Sequence, residues 1–217
     1  MKTVIFDLDG TILDTLEDLK NAVNHALNFY NYPEKDLEFV RKAIGNGTQV
    51  LIRRCAPQNI LEERYRSVFN LFKKYYLNHY ADFTRPYEGI KDLLESLKGK
   101  CLIAVVSNKD NDLTQKLINK EFPGLFDIIQ GSYFDKPKKP DPYLIDKILE
   151  ENEINKEDCL YIGDTNVDKE SADNVGINYR LVSYGYRTKE ELEKMCPNDT
   201  PISSVNELTN YLLKWVN

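Results

Sequence analysis

The sequence predicts an α/β fold: a doubly wound (Rossmann-like) parallel sheet core with an inserted α-helical domain. Three observations predict it. Short β-rich runs recur along the chain, each followed by a stretch with helical spacing, and that alternation implies a sheet covered by helices on both faces. The runs are mostly apolar rather than alternating, as expected of strands buried on both sides. Residues 7–100, between the first run and the second, contain several helical patterns and no strand-like run. A crossover needs only about a dozen residues.

The predicted strands are residues 4–6, 101–106, 126–130, 159–162 and 179–182. The predicted helices of the core are 89–97, 113–120, 142–151, 168–175 and 204–215. Within the insert, Leu16, Leu19, Val23, Ala26 and Leu27 repeat at helical spacing over 16–30. Further helices are expected at 36–44, 49–55 and 60–80, punctuated by Pro33, the Gly45-Asn46-Gly47 turn and Pro57. The expected organisation is a core of 1–14 and 84–217 and a helical cap of 15–83.

Composition narrows the chemistry. Hydrophobic residues make up 41% and charged residues 29% of 217 residues, ordinary for a soluble globular protein. The formal net charge of −6 disfavours a nucleic-acid backbone as partner, although Lys136, Lys138 and Lys139 form a local basic cluster. Cys55, Cys101, Cys159 and Cys196 are widely spaced, which excludes a C-x-x-C pair and predicts small buried hydrophobes. His25 and His79 are the only histidines, too few for a histidine-built zinc centre; both fall in helical stretches and are expected to be structural or exposed. The first apolar run meets a charge after three residues, unlike a signal peptide, and nothing reaches the ~18 apolar residues of a membrane span. The expectation is a cytoplasmic protein with no membrane partner.

The candidate chemistry sits at strand ends. The first strand runs into Asp7-Leu8-Asp9-Gly10-Thr11. If it stays extended to Asp9, Asp7 and Asp9 aim two carboxylates at one spot, at the strand edge where open α/β sheets bind ligands. Paired carboxylates repel, so a divalent cation is the simplest complement. Gly10 allows a sharp turn and offers its N–H to an anion; Thr11 adds a hydroxyl. The second strand ends in Ser107-Asn108-Lys109, where Ser107 and Asn108 either bind a phosphate or cap the next helix. The fourth ends in Gly163-Asp164-Thr165 with Asp168 four residues on, adding carboxylates for a hard cation such as Mg²⁺. Asp168 also suits the first turn of the following helix. Between them lies Lys136-Pro137-Lys138-Lys139-Pro140-Asp141-Pro142, a proline-stiffened loop in which one lysine could balance a nucleophile and a phosphate.

Together these segments, F-D-L-D-G-T, V-V-S-N, K-P-D-P and Y-I-G-D-T-x-x-D in that order, resemble the haloacid dehalogenase superfamily. The resemblance spans Asp7 to Asp168. It implies that Asp7 attacks phosphorus, that Asp9 is the general acid/base, and that Ser107 and Asn108 belong to a phosphate loop. It assigns Lys139, rather than Lys136 or Lys138, as the catalytic lysine. It places Asp164 and Asp168 with Asp7 and Asp9 in a Mg²⁺ site, with Gly10 and Thr11 beside the substrate. The insert resembles the family's helical cap, expected to close over a small phosphorylated metabolite. Ile44-Gly45-Asn46-Gly47 and the following V-L-I-R-R-C resemble the phosphoglycolate phosphatase group. Arg53, Arg54 and the 45–47 loop are candidates for facing the substrate. A β-phosphoglucomutase-like phosphotransferase, a pyrophosphatase and a nucleotidase share the fold; a non-catalytic phospholigand-binding protein is the alternative of another class. A monomer or homodimer is expected.

Overall fold

The computed structural model describes residues 1–217. They divide into two compact units: Met1–Leu13 with Pro86–Asn217, and Asp14–Arg85. In chain order, β1 (Thr3–Phe6) and β2 (Leu13–Asp14) are followed by four helices: α1 (Leu16–Phe29), α2 (Leu37–Ala43), α3 (Thr48–Cys55) and α4 (Glu62–His79). Next come β3 (Arg85–Pro86), α5 (Ile90–Leu97), β4 (Leu102–Asp110), α6 (Asn111–Glu121), β5 (Ile128–Ser132) and α7 (Tyr143–Glu151). The chain ends with β6 (Cys159–Gly163), α8 (Asn166–Val175), β7 (Asn178–Leu181), α9 (Lys189–Met195) and α10 (Val205–Val216).

The first unit is built on a five-stranded sheet in the order β5-β4-β1-β6-β7, with every pairing parallel. Ile5, Ala104, Val106, Cys159 and Tyr161 form one buried cluster with Leu144, Ile145 and Ile148 of α7 and Ala172 and Val175 of α8. Each fully buried Ile or Leu contributes about 1.5–3 kcal/mol, and the alternate residues Val4, Phe6, Ile103, Val105, Leu160 and Ile162 are buried as well, so burial on both faces explains why the runs are apolar. Register then positions the chemistry. Phe6 pairs with Val105 on one side and with Ile162 on the other. Asp7 is therefore level with Val106 and Gly163, and Ser107 and Asp164 lie one residue beyond, along one sheet edge.

Four elements differ from the sequence prediction. β4 continues to Asp110, past the predicted end at 106, with a register shift against β5 between Val106 and Asp110. Its polar end stays extended because Ser132 Oγ donates to the Asn108 carbonyl at 2.8 Å. The short α9 went unpredicted; it buries only Leu192, and its mark in the sequence is the Thr188–Glu191 capping box. The two-residue strands β2 and β3 pair as a separate ribbon where the chain leaves and rejoins the first unit. No helix is long and apolar enough to cross a membrane.

In the second unit α1 packs on α4. α1 buries Leu19, Ala22, Val23, Ala26 and Leu27, and α4 buries Tyr65, Val68, Phe72 and Tyr76, both at helical spacing. Asp18 on α1 is also buried. Its carboxylate accepts from Phe83 N–H (3.0 Å), Thr84 N–H (2.8 Å) and Thr84 Oγ1 (2.7 Å), which ties the two ends of the insert together. Arg54 donates to the Ala43 carbonyl at 2.8 Å and to Asn46 Oδ1 at 2.9 Å, bracing the Gly45–Gly47 turn. Arg53 stacks on Tyr65 at 3.4 Å and pairs with Glu62 at 2.7 Å. Both arginines therefore have partners within their own unit. The two histidines stack on either side of Tyr75, each 4.1 Å from its ring.

Candidate active site

Asp7 leaves the end of β1, still in the ladder through its N–H to the Ile162 carbonyl at 2.8 Å. Its Oδ1 accepts from Lys139 Nζ at 2.7 Å. The same ammonium reaches Asp168 Oδ1 at 2.9 Å and the Tyr161 hydroxyl at 2.8 Å. Lys139 is buried, whereas Lys136 is exposed and Lys138 half-buried. Of the three loop lysines, only Lys139 reaches this group.

The backbone of Lys139 is held as firmly as its ammonium. Asn108 Nδ2 donates to the Lys139 carbonyl at 2.9 Å, and Lys139 N–H donates to Asn108 Oδ1 at 2.8 Å. The Asn108 side chain, expected from the sequence at a phosphate, is thus engaged as a clamp between the β4 tip and the lysine loop. It does not cap α6 either; Asp110 does, accepting from Asp112 N–H. Ser107 Oγ accepts from Lys109 N–H at 3.1 Å, which leaves its own hydroxyl proton to donate.

Asp164 follows β6 and is fully buried. It accepts from Tyr186 N–H at 2.7 Å and from Thr11 Oγ1 at 3.2 Å. Thr11 therefore serves a carboxylate where a substrate contact was expected. Gly10 is also corrected: its N–H donates to the Leu13 carbonyl at 2.9 Å, not to an anion. Its φ of +90° and its closeness to the Asp164 carboxylate, which a Cβ would strike, explain the glycine.

Asp168 is the third residue of α8 and completes a capping box with Thr165. Its Oδ2 accepts from Asp164 N–H (3.2 Å), Thr165 N–H (3.0 Å) and Thr165 Oγ1 (2.7 Å), while Oδ1 meets Lys139. Both readings of this residue hold at once: it caps a helix and reaches the site. With both oxygens so engaged, its geometric effect is to orient Asp164 and Lys139.

The Asp9 carboxylate is not among the clustered oxygens of Asp7, Asp164 and Asp168, although it lies near enough to add to the upward push on Asp7. β1 ends at Phe6, and a tight turn follows in which the amides of Ile12 and Leu13 both donate to the Leu8 carbonyl. The Asp9 carboxylate is directed at Lys109 instead, with Oδ1 2.7 Å from Nζ. The expected picture of Asp7 and Asp9 side by side on one extended strand is corrected accordingly, and so is Asp9 as a carboxylate ligand for the metal.

Ligand oxygens of Asp7, Asp164 and Asp168 lie within 4.8 Å of one another, and all three residues are buried. Burial pushes Asp7 up to about 7, opposed by Lys139 and reinforced by Asp168. Asp164 is raised well above the usual carboxylate range by burial and then by Asp168 and Asp7, with Tyr186 N–H and Arg187 opposing. Burial works against the Lys139 ammonium, but Asp168 and Asp7 more than offset it and hold the lysine well above its ordinary value. Three crowded carboxylates, all hard oxygen donors, with one lysine shared between Asp7 and Asp168, fit a divalent cation of the Mg²⁺ type.

A family model for haloacid dehalogenase-like hydrolases matches residues 4–182. The chain belongs to the haloacid dehalogenase-like hydrolase family. Among similar proteins of this family, a phosphoglycolate phosphatase of Aquifex aeolicus (strain VF5) is 32% identical over 99% of this chain and 100% of its own. Phosphoglycolate phosphatase 1 of Pseudomonas aeruginosa is 32% identical over 90% of this chain and 74% of its own. A crystal structure of a predicted phosphoglycolate phosphatase from Haemophilus somnus superposes with a TM-score of 0.88 at 26% identity, covering 100% of this chain and 98% of the other.

Within this hydrolase site, sequence reasoning missed Tyr161, Lys109 and Tyr186. Tyr161 had a signal: a fully buried tyrosine needs a partner for its hydroxyl, and here that partner is Lys139. Lys109 stood beside Ser107 and Asn108 with no assigned role. Tyr186 acts through its backbone N–H, which side-chain identity does not reveal. The four cysteines are free and buried, away from this chemistry.

Proposed function

We propose that this chain is a Mg²⁺-dependent phosphatase that hydrolyses a small phosphate monoester, 2-phosphoglycolate foremost, through a phospho-aspartate on Asp7. The observation that carries the reading is the buried Asp7 carboxylate in contact with Lys139 at 2.7 Å, beside Asp164 and Asp168. The substrate choice is supported by full-length relatives that bear that activity's name.

Asp7 and Asp164 would hold the cation. When bound, Mg²⁺ supplies positive charge that offsets charge on the transferring phosphoryl group. The residues of the chain do the rest. One Asp7 oxygen attacks phosphorus in line, forming an O–P bond as the ester P–O bond breaks. Lys139 neutralises the nucleophile and then the phosphoryl oxygens. Ser107 donates its hydroxyl to an equatorial oxygen. The electron pair of the broken bond goes to the leaving oxygen, which takes a proton from Asp9. Water then attacks the phospho-aspartate and returns a proton to Asp9, releasing inorganic phosphate and restoring the Asp7 carboxylate. Asp168, with Tyr161, keeps Lys139 aimed.

The test is an ester panel with Mg²⁺: 2-phosphoglycolate, pyrophosphate, nucleoside monophosphates and β-glucose 1-phosphate, beside Asp7→Asn. Expected is preferential release of phosphate from 2-phosphoglycolate and no turnover by the folded Asp7→Asn variant. Poor turnover of 2-phosphoglycolate beside good turnover of another ester removes the substrate and keeps the class. An Asp7→Asn variant as active as the parent on p-nitrophenyl phosphate removes the covalent mechanism.

A further inference from the structure

Each aspartate of the Asp7-Leu8-Asp9 turn has its own lysine. Asp7 takes Lys139, and Asp9 takes Lys109 at 2.7 Å. The second pair joins residues 100 positions apart. It forms because β1 and β4 are adjacent and parallel, with Phe6 opposite Val105, so Asp9 and Lys109 leave the sheet three and four residues beyond that pair. Of the two side chains, the lysine is the deeper, 4% exposed against 16% for Asp9. The lysine's backbone N–H donates to Ser107 Oγ at 3.1 Å, and the next carbonyl, that of Asp110, accepts from Thr114 Oγ1 at 2.9 Å.

We infer that Lys109 is a positioning residue for Asp9: by binding Oδ1 it holds the carboxyl in the orientation in which it exchanges a proton with the leaving group. This rests on the phosphatase reading above, in which Asp9 protonates the departing alkoxide. The reach of an aspartate carboxyl depends on two side-chain torsions, and a one-ångström error at a proton donor costs about 100-fold in rate. An ammonium held on the β4 tip restricts both torsions. The lysine itself exchanges no proton and touches no substrate atom.

The experiment uses leaving groups to separate this role from a structural one. An alkyl phosphate needs a proton on its departing oxygen; p-nitrophenyl phosphate does not, because p-nitrophenolate is a stable anion. kcat/KM reports only steps up to the first irreversible one, departure of the alcohol. In Lys109→Met, kcat/KM for the alkyl ester is expected to fall about 10–100-fold, a large part of what a general acid supplies, while that for p-nitrophenyl phosphate falls less than about 3-fold. Inhibition by inorganic phosphate stays within the same narrow range. Lys109→Arg recovers much of the alkyl rate. In an Asp9→Asn background, Lys109→Met adds no further loss, since it acts through Asp9.

Equal losses on both esters, or additive losses in the double variant, overturn the inference in favour of a structural role. Faster alkyl turnover in Lys109→Met overturns it too, because the pair would then restrain the acid. If Lys109→Met does not fold, Lys109→Gln and the folded Lys109→Arg carry the same comparison, and an unchanged alkyl-to-aryl ratio in both rejects the inference. If instead the parent turns over neither ester with Mg²⁺, it is the phosphatase reading that has failed.

Discussion

Asn108→Ala tests the distinction between a clamp and a ligand. The Asn108 amide makes two hydrogen bonds to the backbone of Lys139, at 2.9 and 2.8 Å, and both residues are buried. Truncation leaves a buried N–H and a buried C=O without those partners. Each such group costs about 1–3 kcal/mol, so with some local relaxation the expected loss is about 2–4 kcal/mol. For a chain of this size that lowers the melting temperature by about 5–15 °C. Freed at its backbone, Lys139 also drifts from Asp7, and kcat is expected to fall about 10–100-fold. The assay is thermal unfolding followed by circular dichroism in phosphate-free buffer without substrate, alongside turnover. The ligand-free condition decides the matter: a side chain that serves only to bind phosphate contributes nothing there. A ligand-free melting temperature equal to the parent's would refute the clamp. Asn108→Asp should recover little, since it keeps an acceptor for the Lys139 N–H but sets a carboxylate against the Lys139 carbonyl.

Three further outcomes follow from other parts of the molecule. Burial pushes Asp7 up to about 7 and holds Asp164 well above the usual carboxylate range, so at about pH 6 a cation must displace protons from the site; calorimetry in two buffers should show Mg²⁺ binding that releases protons at pH 6 and tightens as pH rises, and a pH-independent affinity would contradict the burial argument. Asp18→Ala removes the acceptor of two amides and a hydroxyl in the helical unit, an expected loss of about 2–4 kcal/mol measured by urea unfolding. Burial holds Cys55, Cys101 and Cys159 up at about 11, which leaves about one thiolate per thousand at pH 8; native protein should resist a thiol reagent that modifies all four cysteines after unfolding.

Much of the fold was legible because parallel strands covered on both faces leave an unmistakable apolar run. Ile5, Ala104, Val106 and Tyr161 sit in such runs and share one cluster with α7 and α8. β4 was read too short because Ser107, Asn108 and Lys109 are polar, and polarity argues against a buried strand unless the partners are known. Here the partners are Lys139, Ser132 and Asp9, none of them local. α9 was passed over because it buries a single leucine. Position at the rim of the sheet was readable for Asp7, Asp164 and Ser107, since Asp7 and Asp164 directly follow a strand and Ser107 directly follows the apolar part of β4. The duty of each side chain was less so: Thr11 and Gly10 looked like substrate contacts and are instead occupied by Asp164 and Leu13.

Taken alone, the order of residues determined which groups stand at the strand tips, because period-two geometry and apolar burial are local properties that a single strand expresses. Tertiary structure alone decided who pairs with whom. Lys139 meets Asp7 across 132 residues and Lys109 meets Asp9 across 100, and both distances are set by strand order and register. Coulomb attraction between charges at 2.7 Å in a buried site is strong, but it acts only after the sheet has brought them together.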